Sequence, residues 1–165
     1  MQLMEASMNH LEHGFASLAN GETKLPGYDQ DFDLWLRAQA TLLRERKFDL
    51  LDFDNLAEEV EGMARAEHRE LRNRLEVVLI HLLKLRFQPG HPSNNWLGTL
   101  GEQRSRLGLL IEDSPSMARH IAGYAEHAYR NAVKKAAQET GLPSSTFPAT
   151  NPFTEAQLLD PDHIP

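Results

Sequence analysis

Residues Asn55 to Phe87 read NLAEEVEGMARAEHRELRNRLEVVLIHLLKLRF, the longest uninterrupted helical pattern in the chain. An α-helix turns about 100° per residue, so Val60, Ala64, Leu71, Leu75, Val78 and Leu82 fall within one sector and predict a core-facing stripe. A flank about 90° away carries Glu59, Met63, Glu70, Arg74, Val77, His81 and Lys84, which is mixed in character rather than uniformly solvated. The other segments read as packing against this helix.

Upstream, Tyr28–Lys47 (YDQDFDLWLRAQATLLRERK) runs from acidic to basic, the charge order that complements a helix dipole. Its predicted stripe is Phe32, Trp35, Leu36, Ala40 and Leu43, with Gln39 inside it; a buried glutamine must be hydrogen-bonded. In the link that follows, Asp52 or Asp54 is the N-cap of the long helix, and with Asp52 as the cap Leu51 and Leu56 form a hydrophobic staple. Downstream, QPGHPSNN holds two prolines and a glycine and reads as a loop. Trp96–Asp113 resumes the helical pattern through Leu97, Leu100, Leu107, Leu110 and Ile111. Ser114-Pro115 is an N-cap followed by proline, opening a further helix that Gly141 closes.

No segment alternates as a strand does. The fold predicted is all-α: a bundle of four main helices, 28–47, 54–87, 95–113 and 115–140, around the long central one. Residues 1–27 read as an N-terminal arm and 28–165 as a single helical domain. That domain includes a Pro-rich tail, 142–165, packed over the bundle. In the tail, Thr154 is placed to cap a short helix through Leu159, and Phe147 and Phe153 are its apolar plugs.

Composition excludes several function classes. There is no cysteine among the 165 residues, which removes disulfides, thiolate metal sites and cysteine nucleophiles. The net charge of −7 argues against broad binding to nucleic acid or anionic lipid. With no run of eighteen apolar residues and no signal-peptide pattern at the start, a soluble cytoplasmic protein is the expectation.

YDQDFDLWL, DNLAEEVEGM, LIHLLKLRFQP, NNWLGTLGEQRSRL, EDSPS and ETGLPSSTFP together resemble the bacterial domain-of-unknown-function family twenty-nine from Tyr28 to the end. The resemblance places the family's motif on Glu58 and Glu59, on His81 to Lys84, on Trp96, on Gln103 and Arg104, and on Ser114 to Ser116. It implies a helical fold and brings no established activity.

Catalytic signatures are largely missing. There is no Gly-rich phosphate cradle, no HExxH, no GxSxG, and no Glu-x-x-His of the di-metal bundles. His10 and His13, three apart in the arm, have no third partner at ligand spacing. Neither a metal nor a cofactor is expected. The favoured function is a non-enzymatic protein-interaction or regulatory module that binds a protein partner or its own copy.

The alternative is a small-molecule or ribonuclease-like site built from Glu59, Arg74, His81, Lys84, Gln103 and Arg104. Arg74 and His81 lie two helical turns, roughly 10 Å, apart on one face. Arginine can hold a phosphate while histidine exchanges a proton. The spacing resembles the Arg-x(4 to 6)-His signature of the nucleotide-binding ribonucleases of higher eukaryotes and prokaryotes, but Leu75 stands where that signature has a polar residue. The bland reading of His81 is a core-edge side chain bonded to a carboxylate or to Gln103. His120, Tyr124 and His127 share a helical face, read as core or interface. His68 shows no partner in the sequence.

Overall fold

The computed structural model describes residues 27–88, 90 and 94–165, and among them every regular element is helical. The all-α expectation holds. Residues 1–26 of the arm, with His10 and His13, lie outside the described residues. The chain divides into two compact units, the first ending at Val60 and the second running Glu61–Pro165.

The first unit holds α1 (Phe32–Arg44), a 3-10 turn at Phe48–Leu50 and the opening turns of α2 (Phe53–Phe87). Helix α1 is shorter than 28–47 at both ends. Asp31 is its N-cap, accepting the Leu34 N–H at 3.0 Å, so residues before it cannot be helical. At the other end Arg46 takes φ 58°, a left-handed conformation that stops the helix.

The buried edge of α1 is Trp35, Ala38, Gln39 and Leu42, at helical spacings of three and four. This corrects the predicted stripe, because Phe32, Leu36 and Leu43 remain 47%, 42% and 47% exposed. Gln39, 2% exposed, has its expected bond: its Oε1 accepts the Asp52 N–H at 2.9 Å. Asp52 in turn caps α2, accepting the Asn55 N–H at 3.4 Å, the Asn55 side-chain amide at 2.7 Å and the Trp35 indole N–H at 3.2 Å. The Asn55 amide, ahead of the backbone and indole donors, holds the Asp52 carboxyl below the usual carboxylate range.

The second unit contains the rest of α2, then α3 (Asn94–Asp113), α4 (Ile121–Thr140) and α5 (Glu155–Leu159). The long-helix stripe is only partly right. Leu71, Leu75, Val78 and Leu82 are fully buried, but Val60 is 65% exposed and Ala64 is exposed too. From Leu71 onward α2 also buries Leu79, Ile80, Leu83, Lys84 and Leu85, so this half is covered nearly all round. Each buried leucine contributes roughly 2 kcal/mol of transfer free energy.

The helix predicted at 115–140 splits. Pro115–His120 is 3-10, and the α-helix begins only at Ile121. Ser114 makes no side-chain cap; its hydroxyl donates to Glu67 Oε2 at 3.1 Å. Gly141 closes α4 at φ 73°, where a side chain would be strained. The tail docks as expected. Phe147, Phe153 and Leu158 are buried in the core cluster, and Thr154 with Gln157 forms a complete capping box on α5.

Candidate functional site

In the first unit, Glu59 accepts the Tyr28 hydroxyl at 2.5 Å. That bond to a carboxylate, more than burial or the other nearby acids, pushes the Tyr28 pKa up to about 12. Glu59 is thereby engaged in holding the approach to α1.

In the second unit the other five candidates sit on α2 and α3. Arg74 Nε donates to Glu70 Oε1 at 2.9 Å and Nη1 donates to Gln103 Oε1 at 2.9 Å, while Nη2 also reaches Glu70. The structure thus joins Arg74 with Gln103 across two helices, and Gln103 serves Arg74 rather than His81. Lys84 is 3% exposed, yet its ammonium donates to Glu139 Oε2 at 2.5 Å and lies 4.3 Å from the centre of the Trp96 ring. One cation therefore ties α2 to both α3 and α4.

Arg104 is 4% exposed. Its Nε donates to the Leu158 carbonyl at 3.1 Å, Nη1 to His163 at 2.9 Å and Nη2 to Gln157 at 2.7 Å. All three acceptors are backbone oxygens of the tail, so this side chain clamps α5 and the residues after it onto α3. Burial draws its pKa down, with Asp160 opposing.

His81 is half-buried. Its Nδ1 is enclosed and has no hydrogen-bond partner. Burial first, then the Lys84 charge, lowers its pKa, against a smaller pull from Glu139. Of the six candidates, His81 alone has a buried polar atom without a partner, and none of the six lines the open hollows described next.

A second polar cluster escaped the sequence pattern. The Tyr124 hydroxyl and His68 Nδ1 are 3.0 Å apart, joining residues 56 positions distant in the chain. His120 stacks on Tyr124 with ring centres 5.5 Å apart and meets His68 edge-on at 5.0 Å. The Arg72 guanidinium lies 5.5 Å from the Tyr124 ring centre, and Arg119 Nε donates to His120 Nε2 at 3.2 Å. Beside this cluster is a hollow of about 400 Å³ lined by Arg72, Arg119, His120, Gly123, Tyr124 and His127. The spacing of 120, 124 and 127 was visible in the sequence; the arrival of His68 and Arg72 from α2 was not. Another hollow, of about 740 Å³, lies between α4 and the tail around Tyr129 and Phe147. Tyr129 gives its hydroxyl to the Pro148 carbonyl there at 2.8 Å.

Among the described residues no three His, Cys, Asp or Glu side chains are grouped to hold a metal ion, and no helix is long and apolar enough to cross a membrane. No curated protein and no solved structure matches the chain. Residues 27–164 match the family model described as domain of unknown function DUF29, and with nearly the whole helical region covered, the chain belongs to that family.

Proposed function

We propose that this chain is a non-enzymatic cytoplasmic interaction module, and that the partner its first unit fits is a second copy of itself. The observation that carries the reading is the uncovered half of the α1 stripe. Phe32, Leu36 and Leu43 are four and seven residues apart, so they project within about 40° of one another. All three are exposed, as are Phe48, Leu50 and Phe53 of the same unit. A concentration of exposed apolar side chains of this kind is characteristic of an interaction surface.

Charge favours an antiparallel pairing of two α1 helices. Asp29, Asp31 and Asp33 lie at its start, and Arg44, Arg46 and Lys47 at its end. With Leu36 of one copy against Leu43 of the other, the acidic start of each helix comes to lie beside the basic end of its mate, and the same contact repeats by two-fold symmetry. A charge swap tests this. Asp33→Lys and Arg46→Glu should each weaken self-association, and mixing the two variants should restore it as a heterodimer. Association unchanged in both single variants, or no rescue on mixing, would contradict the pairing.

The alternative, a ribonuclease-like or small-molecule site on Arg74 and His81, keeps one supporting observation, the enclosed and unpartnered Nδ1 of His81. It is weaker because all three guanidinium nitrogens of Arg74 already donate within the protein. A substrate phosphate would have to displace Glu70 or Gln103.

A further inference from the structure

The cations of the second unit fall into two kinds. Lys84 and Arg74 reach carboxylates, and Arg104 is met by three carbonyls. Arg72 and Arg119 form no ion pair among the described residues, although the chain as a whole carries seven excess negative charges. They border the same hollow, together with His120 and His127, and no carboxylate lines it. Glu126 lies in the adjoining hollow with His127, Arg130 and Asn131.

We propose that this hollow binds a phosphate-class oxyanion, with Arg72 and Arg119 as its charged donors and His127 as a further donor at the rim. Guanidinium groups suit such a ligand because their planar forks match its oxygens and stay charged at every physiological pH. The local hydrogen bonds orient the donors in advance. Arginine Nε–H can only donate, so the bond to His120 uses the Nε2 lone pair, sets the His120 proton on Nδ1, and leaves both terminal nitrogens of Arg119 unengaged by that contact. Arg72 rests against Tyr124, whose hydroxyl is itself held by His68.

The same arrangement disfavours a metal cation. The His120 Nε2 lone pair is already taken, His68 Nδ1 is engaged with a hydroxyl, and two guanidinium charges stand beside them. Gly123 lines the hollow, and an added Cβ there would meet nothing within 4 Å. A volume of about 400 Å³ accommodates a small phosphorylated molecule as well as free phosphate.

The test uses the full chain and reads the histidine ring signals by NMR during titration with inorganic phosphate, AMP, adenosine and, at matched ionic strength, sodium chloride. Phosphate and AMP should move the His68, His120 and His127 rings saturably, while adenosine and chloride should not. Tighter binding of AMP than of phosphate would assign the oxyanion to a larger molecule; equal binding would assign it to phosphate itself. Arg72→Gln with Arg119→Gln should weaken binding about tenfold or more. Both positions are exposed, and circular dichroism would verify that this variant is folded. Gly123→Leu keeps every charge and should block binding by filling the space. Ring signals that do not saturate with phosphate or AMP, an equal response to chloride, or undiminished binding in both variants would overturn the site.

Discussion

Helix α1 and the second half of α2 have similar apolar periodicities and opposite fates. From Leu71 to Leu85, α2 is enclosed by α3, α4 and the tail, and even its lysine is only 3% exposed. In α1 the edge of Trp35, Ala38, Gln39 and Leu42 is covered, while Phe32, Leu36 and Leu43 are left in solvent. A stripe written in sequence specifies a face that is stable when covered; it does not say what covers it. For α2 the cover is the chain's own α3, α4 and tail. For α1 we assign it to a second copy.

The largest expected effect breaks the covering of α2. Arg104→Ala removes three charge-assisted bonds and leaves three tail carbonyls without their donor, so it should cost about 4 kcal/mol. Urea unfolding measures the loss, and limited proteolysis should show new cleavage after Pro148. Next is Leu79→Ala, which opens a cavity at a fully buried site and should cost about 3 kcal/mol, whereas Met63→Ala, at a 70% exposed position of the same helix, should fall within about 0.5 kcal/mol of wild type. Equal costs would erase the contrast between the halves of α2. On the covered edge of α1, Gln39→Leu strands the Asp52 N–H and should cost about 2 kcal/mol in the same assay.

The smallest effect is a pH dependence inside the covered region. The His81 pKa is lowered in the folded protein, so between about pH 6.5 and that lower value the unfolded chain binds more protons. Stability should therefore fall as pH drops through this window and level off below it. His81→Phe should flatten this part of the profile; an unchanged slope in thermal unfolding would assign it to another group.

What the sequence made legible follows the same division. The deep stripe Leu71, Leu75, Val78 and Leu82 was readable from its spacings of four and three; that the flank with His81 and Lys84 is enclosed as well was not. Val60 and Ala64 continue that periodicity into a stretch dense in charged residues, where α2 is exposed. The Asp52 cap, the Gln39 bond and the capping box at Thr154 are short-range chemistry and were foreseeable. The candidate site was less so. Arg74 and Gln103 do meet, but the partner of Lys84 is 55 residues away. The partners of Arg104 are backbone oxygens, which leave no trace in side-chain patterns. His68 and Tyr124 come together only because α2 and the first turn of α4 pack side by side.

The most direct test of the uncovered α1 face is the mass of the full chain in solution as a function of concentration, by sedimentation or light scattering, for wild type and for the Leu36→Ser, Leu43→Ser double variant. Both positions are exposed, so the variant should fold as the wild type does. The expected result is a reversible dimer for wild type and a monomer for the variant across the same range. A wild-type chain that stays monomeric, or a variant that dimerises equally well, would contradict the account.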